Sequence, residues 1–141
     1  LHQLVCSRKD YQRLITIPGI GPVISAAILG AVSEPNVFKN GRQFAAWIGL
    51  TPRQHASGDN SRIGKITKRG NKVLRTLLIH GARTLLNWCD KKADGLSCWL
   101  KRLKTRMHDC KVIVALANKL ARIVWSVLAH KQDFNMKLAS A

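Results

Sequence analysis

The sequence is short of acid. Its 141 residues carry 7 Asp plus Glu against 24 Lys plus Arg, a formal net charge of +17. Asp10, Glu34, Asp59, Asp90, Asp94, Asp109 and Asp133 include no close pair, so two-metal phosphate chemistry has no carboxylate set in this chain; most of them sit at predicted helix ends, where capping accounts for them. Four cysteines, Cys6, Cys89, Cys98 and Cys110, form no C-x-x-C pair and have no histidine at matching spacing. That excludes a zinc site and leaves free buried thiols as the expectation. His2, His55, His80, His108 and His130 lie in no H-E-x-x-H and no triad context, so each reads as a surface or internally satisfied histidine. No apolar run approaches the ~20 residues of a membrane span. The opening LHQLVCSRKDYQRL interleaves charge with apolar residues, unlike a signal peptide, and a cytoplasmic protein with no membrane partner is expected. No stretch alternates convincingly with period two, which argues against a sheet.

What is there is a helical pattern with a strong positive charge. An apolar fraction of 46% supports a core, and the length suits one domain. A charge of +17 repels itself unless a polyanion neutralises it, and nucleic acid is the natural partner. Residues 3–15 read as a surface helix, residues 22–32 as a helix apolar on nearly all sides, and GRQFAAWIGL as a short helix whose Phe44, Trp47 and Ile48 share a face. Residues 72–88 place Val73, Leu74, Leu77, Leu78, Leu85 and Trp88 toward a core. A basic helix follows over 95–107. In the last, 111–130, Ile113, Leu116, Ala117, Leu120, Val124, Val127 and Leu128 face inward, with Lys111, Asn118, Lys119, Arg122 and Ser126 outward. The expected fold is all-α, about six helices, with a long basic loop. Its parts are the end of a connecting helix at 1–13, a helical domain at 14–130 and a tail at 131–141. The chain opens on Leu1 inside a helical pattern, and a piece of a larger protein is expected.

Two stretches carry chemistry. In Leu14-x-x-Ile17-Pro18-Gly19-Ile20-Gly21, followed by Ala26 and Gly30, the pattern resembles a helix-hairpin-helix, in which a Gly-x-Gly turn lets backbone amides at a helix start approach a phosphate. Gly21 is then expected to need its missing side chain, because a phosphate or a neighbouring helix comes close. An ordinary helix–helix turn is the plainer alternative. The second stretch is HASGDNSRIGKITKRGN, residues 55–71, a long basic segment of the kind that is either disordered or functional. Arg62, Lys65, Lys68, Arg69, Lys72 and Arg75 crowd the helix entrance that Asn71 would cap. Cations at that end oppose the macrodipole, so an anion is expected there. Ser57 and Ser61 are the nucleophile candidates, with Arg53 and Arg62 to bind a phosphate.

PGIGPVISAAILGAV, then F-x-N-G-R-Q-F-A-A-W-I-G-L-T-P-R-Q, then Ser57-Gly58, then GKITKRGN-x-x-LRTLLIHGAR, resembles the C-terminal domain of the bacterial DEDD-type insertion-sequence transposases, recombinases guided by a bridge RNA. The resemblance covers roughly residues 14–130. It implies that a RuvC-like domain elsewhere supplies a metal-binding acidic tetrad, with magnesium as its divalent metal. It also implies that this domain supplies a serine that joins covalently to DNA, here Ser57, with Ser61 as the fallback. Some members have Ser-Thr-Gly-Gly where this chain has Ala56-Ser57-Gly58-Asp59. DNA, a guide RNA and further copies of the full-length protein are the implied partners. No cofactor is expected in this chain, and alone it should be inactive for cleavage. The alternative is a helix-hairpin-helix module that binds DNA or RNA without catalysis.

Overall fold

Pro18, Gly19, Gly21 and Pro22 interrupt an otherwise helical beginning, because proline removes a donor and glycine relaxes the backbone. The computed structural model describes the backbone of residues 2–57, 60–66 and 71–139, and the side chains of residues 8–51 and 71–137. Helix α1 (His2–Leu14) ends before that turn and α2 (Pro22–Ala31) begins after it, with Pro22 in the first helical turn. A 3-10 turn at Pro35–Val37 leads to α3 (Gly41–Ile48). Strands β1 (Pro52–Ser57) and β2 (Asn60–Ile66) come next, then α4 (Lys72–Trp88), α5 (Gly95–Lys104), α6 (Asp109–His130) and the single turn α7 (Met136–Ala139). Helix starts are capped as side-chain chemistry dictates. Asn40 accepts from the Gln43 amide at 2.9 Å, Asn71 from Leu74 at 3.1 Å and Asp94 from Ser97 at 2.8 Å, which relieves first-turn donors that have no intrahelical partner. The bond from Ser97 holds the Asp94 carboxyl below its ordinary range.

Helix α6 is the axis of the fold. It packs against α1, α3, α4 and α5, and Val112, Leu116, Ala117, Leu120, Ala121, Val124 and Val127 are wholly enclosed. Each large side chain buried this way contributes about 1.5–3 kcal/mol relative to leaving it exposed. By length and composition α6 could cross a bilayer, but 61% of its most apolar window is buried inside the bundle. Three of the other helices lay one face each on this axis: Phe44 and Ile48 from α3, Leu74, Leu78, Ala82 and Leu86 from α4, Leu96, Leu100 and Leu103 from α5. Trp125 of α6 donates its indole N–H to the Pro35 carbonyl at 3.0 Å. Beyond α6, the segment expected as a tail is tied down, since the Phe134 amide donates to the Thr16 hydroxyl at 3.0 Å.

The all-α class holds, with one β-ribbon set into it. The basic segment expected as a loop begins inside that ribbon. Four further expectations fail for reasons of packing. Helix α2 buries only Ile24, Ser25 and Ile28 fully and leaves Val23 72% exposed, because it lies on the rim of the bundle. Val73 and Trp88 of α4 are exposed. Trp88 is covered instead by the Lys91 ammonium, 4.5 Å from its ring centroid. Of the cysteines with described side chains only Cys89 is buried, Cys98 and Cys110 being exposed. Burial raises the Cys89 thiol pKa, with Asp90 adding to the effect.

The fourth is Lys119, expected outside and found buried. The neighbouring α5 brings Trp99 to it, and the Lys119 ammonium lies 4.4 Å from that ring centroid. Desolvation, then the charge of Arg122, lowers its pKa. The folded chain thus binds this proton less tightly than the unfolded chain, so stability rises as pH climbs from the lowered folded value toward the ordinary lysine range, and is level beyond it. Lys119→Met should remove that rise while keeping the fold. Chemical denaturation of both proteins across the alkaline range measures the difference, and parallel curves would contradict it.

Candidate nucleic-acid interface

The turn between α1 and α2 uses its two glycines differently. Gly19 has φ +83°, a conformation that favours glycine. A Cβ there would sit 2.9 Å from Leu85 Cδ1 and 3.1 Å from the Gly81 carbonyl oxygen. A Cβ on Gly81 would in turn collide with the Gly19 carbonyl oxygen. Gly19 is therefore required by the close crossing of the turn over α4. Gly21 is the N-cap of α2 with an extended backbone and no side-chain cap, and nothing lies within 4 Å of where its Cβ would be. Among the described residues no neighbouring helix approaches Gly21, contrary to one half of the expectation. The uncapped start of α2 leaves first-turn amides without intrahelical acceptors beside open space.

The second feature is the ribbon. Strands β1 and β2 pair antiparallel, with Gln54 opposite Ile63, His55 opposite Arg62, Ala56 opposite Ser61 and Ser57 opposite Asn60. The register shifts before Pro52 pairs with Ile66. Ser57 thus ends β1, and Ser61 stands one rung further from the tip. Arg53 lies on β1, and Arg62 and Lys65 on β2. Lys68 and Arg69 lie outside the described residues. The ribbon leaves α3 and returns at α4, whose first residue, Lys72, is exposed. Arg75, one turn on, is half-buried and donates from Nη1 to the Ile48 carbonyl at 3.2 Å. A cation is favourable at that carbonyl end of α3.

Sequence reasoning did not single out Asn118, which donates to the Leu50 carbonyl at 3.3 Å where the ribbon departs. An amide in a helix otherwise rich in apolar residues was the available signal. Nor did it single out Arg42, whose charge, after desolvation, lowers the pKa of Arg122. The Arg122 Nε is buried without a hydrogen-bond partner among the described residues. Among the described residues no three His, Cys, Asp or Glu side chains converge to hold a metal ion. The described residues do not fit the magnesium site the resemblance implies.

A model of the transposase IS116/IS110/IS902 family matches residues 11–96. The chain is 49% identical over 120 residues to the Pseudomonas aeruginosa protein named "Probable family 20 transposase", covering 85% of this chain and 36% of that one. It is 44% identical to the Coxiella burnetii "Transposase for insertion sequence element IS1111A", covering 91% of this chain and 35% of that one. A more distant similarity, 28% identity covering 89% of this chain and 38% of the other, joins it to the "Pilin gene-inverting protein" of Moraxella bovis. The chain spans about a third of the length of the curated relatives it matches.

Proposed function

Because this chain belongs to the IS116/IS110/IS902 transposase family, we propose that it is the nucleic-acid-binding, serine-bearing domain of a DNA recombinase whose remaining catalytic groups lie elsewhere in the full-length protein. The observation that carries the reading is the ribbon: a serine ends β1 between two strands that also bear Arg53, Arg62 and Lys65. Cations around a phosphodiester neutralise the charge that builds up when a hydroxyl attacks it. In the proposed step Ser57 Oγ bonds to the phosphorus as the phosphorus–oxygen bond to one sugar breaks, giving a covalent protein–DNA link. A serine hydroxyl needs assistance to act. The activating acid residues and divalent metal belong to the RuvC-like domain that the resemblance implies, and a guide RNA would select the DNA. Ser57 and Ser61 stand on neighbouring rungs of the ribbon, Ser57 opposite Asn60 and Ser61 opposite Ala56, and Ser57 is the one followed directly by Gly58.

Binding is assigned to Arg53, Arg62, Lys65, Lys68, Arg69, Lys72 and Arg75, with the α2 start at Gly21 as a second phosphate contact. Gly19 acts by shaping the turn that presents it. The isolated chain should bind duplex DNA and not cleave it. If about six phosphates are neutralised, log K should fall against log salt with a slope of about −5. Titrations at several salt concentrations test this, and a flat dependence would remove the electrostatic basis of the proposal. A module that binds without catalysis is the competing reading; it predicts the same slope and no role for Ser57.

A further inference from the structure

We infer that Asn118 is a positioning residue for the serine ribbon, an inference that rests on the reading of Ser57 as nucleophile. The chain leaves α3 through Gly49, in the left-handed region at φ 89°, and then through Leu50, which is buried. Two helices that are distant in sequence grip this exit. Arg75 of α4 donates to the Ile48 carbonyl at 3.2 Å, and Asn118 of α6 donates to the Leu50 carbonyl at 3.3 Å. Both carbonyls lie at or just past the end of a helix, where intrahelical donors run out. Asparagine is a poor residue for a helix interior, and α6 is the buried axis of the bundle. Its amide at this position is explained by the bond it makes to another element.

The consequence is leverage. Ser57 lies seven residues beyond Leu50, about 20 Å along an extended strand. A tilt of about 10° at the root would therefore move the tip by about 3.5 Å, by plain trigonometry on that length. In-line attack on phosphorus tolerates far less, since a misplacement of about 1 Å can slow a reaction about a hundredfold. Leu50 is the root of the first strand, so the direction in which that strand leaves α3 is set where the Leu50 carbonyl is anchored. Asn118 acts through the root of the strand that carries Ser57, by its bond to the Leu50 carbonyl. Arg75 shares the task, but it is also assigned to phosphate, so Asn118 is the cleaner probe.

The test uses the full-length protein with its guide RNA on end-labelled DNA, under single turnover at saturating DNA. Asn118→Leu, and Asn118→Asp, which keeps the shape and loses the donor, should each lower the rate constant of covalent adduct formation at least tenfold. The final amount of adduct and the DNA dissociation constant should stay within about twofold of wild type. A merely structural asparagine would lower the amplitude, by reducing the folded fraction, and leave the rate constant unchanged; that result overturns the inference. So does a wild-type rate in the Asp variant, should the Leu variant fail to fold. Ser57→Ala, run in parallel, separates the two levels. Adduct persisting there defeats the nucleophile assignment, and with it the object that Asn118 would position. Adduct lost there but formed at wild-type rate in both Asn118 variants defeats this inference alone.

Discussion

Ser57→Ala in the full-length protein should abolish the covalent protein–DNA adduct and recombination while leaving DNA and RNA binding nearly intact. The asymmetry follows from what one hydroxyl does in each state. In ground-state binding it is a single neutral hydrogen-bonding group among many charged contacts, contributing about 1 kcal/mol. In the proposed reaction its oxygen would be the atom that forms the new bond. Ser61, which pairs with Ala56 on the next rung, is the one alternative nucleophile the reading allows. Denaturing gels of wild type and mutant on labelled DNA provide the readout, with a filter-binding titration beside them. An adduct that survives Ser57→Ala and disappears only with Ser61→Ala would move the nucleophile one rung. An adduct that survives both would make this domain a binding module.

The second large effect belongs to the crossing of the α1–α2 turn over α4. Gly81→Ala should destabilise the fold by about 1–3 kcal/mol, since the new Cβ meets the Gly19 carbonyl oxygen, a backbone atom that can move only if the whole turn moves. Gly19→Ala should cost a similar amount, through strain at φ +83° and contact with Leu85. Gly21→Val should leave the melting temperature close to wild type, because the backbone there is extended and the space for a side chain is open; substitutions that meet no packed neighbour stay within about 0.5 kcal/mol. Its effect should appear in DNA affinity instead, where a branched side chain would keep a phosphate from the start of α2. Thermal melts and binding titrations on the three variants separate shaping from binding. Equal melting losses at Gly21 and Gly81 would refute the division, and unchanged affinity in Gly21→Val would remove the phosphate contact.

Much of this molecule is written into local pattern. The helices of α2, α3, α4, α5 and α6 follow from apolar spacing punctuated by glycine and proline, and Asn71 and Asp94 cap because short polar side chains at those places can do little else. The inward residues of α6 are equally legible, since a repeat near 3.6 marks one face whatever lies against it. The positive charge is a matter of composition, and it points to a polyanion before any fold is known. Local pattern is silent about what stands opposite. Lys119 is outward by periodicity and buried in fact, because Trp99 arrives from another helix to cover it. Trp88 is apolar by type and half-exposed, its ring met by the Lys91 ammonium rather than by the core. The ribbon escaped detection because its strands are polar on both faces, so alternation carries no signal, and pairing between segments is a property of two stretches together. Gly19 and Gly81 look alike as glycines in the sequence. Only the tertiary structure brings them against each other and leaves Gly21 in the open, because a backbone crossing exists only once the helices are packed.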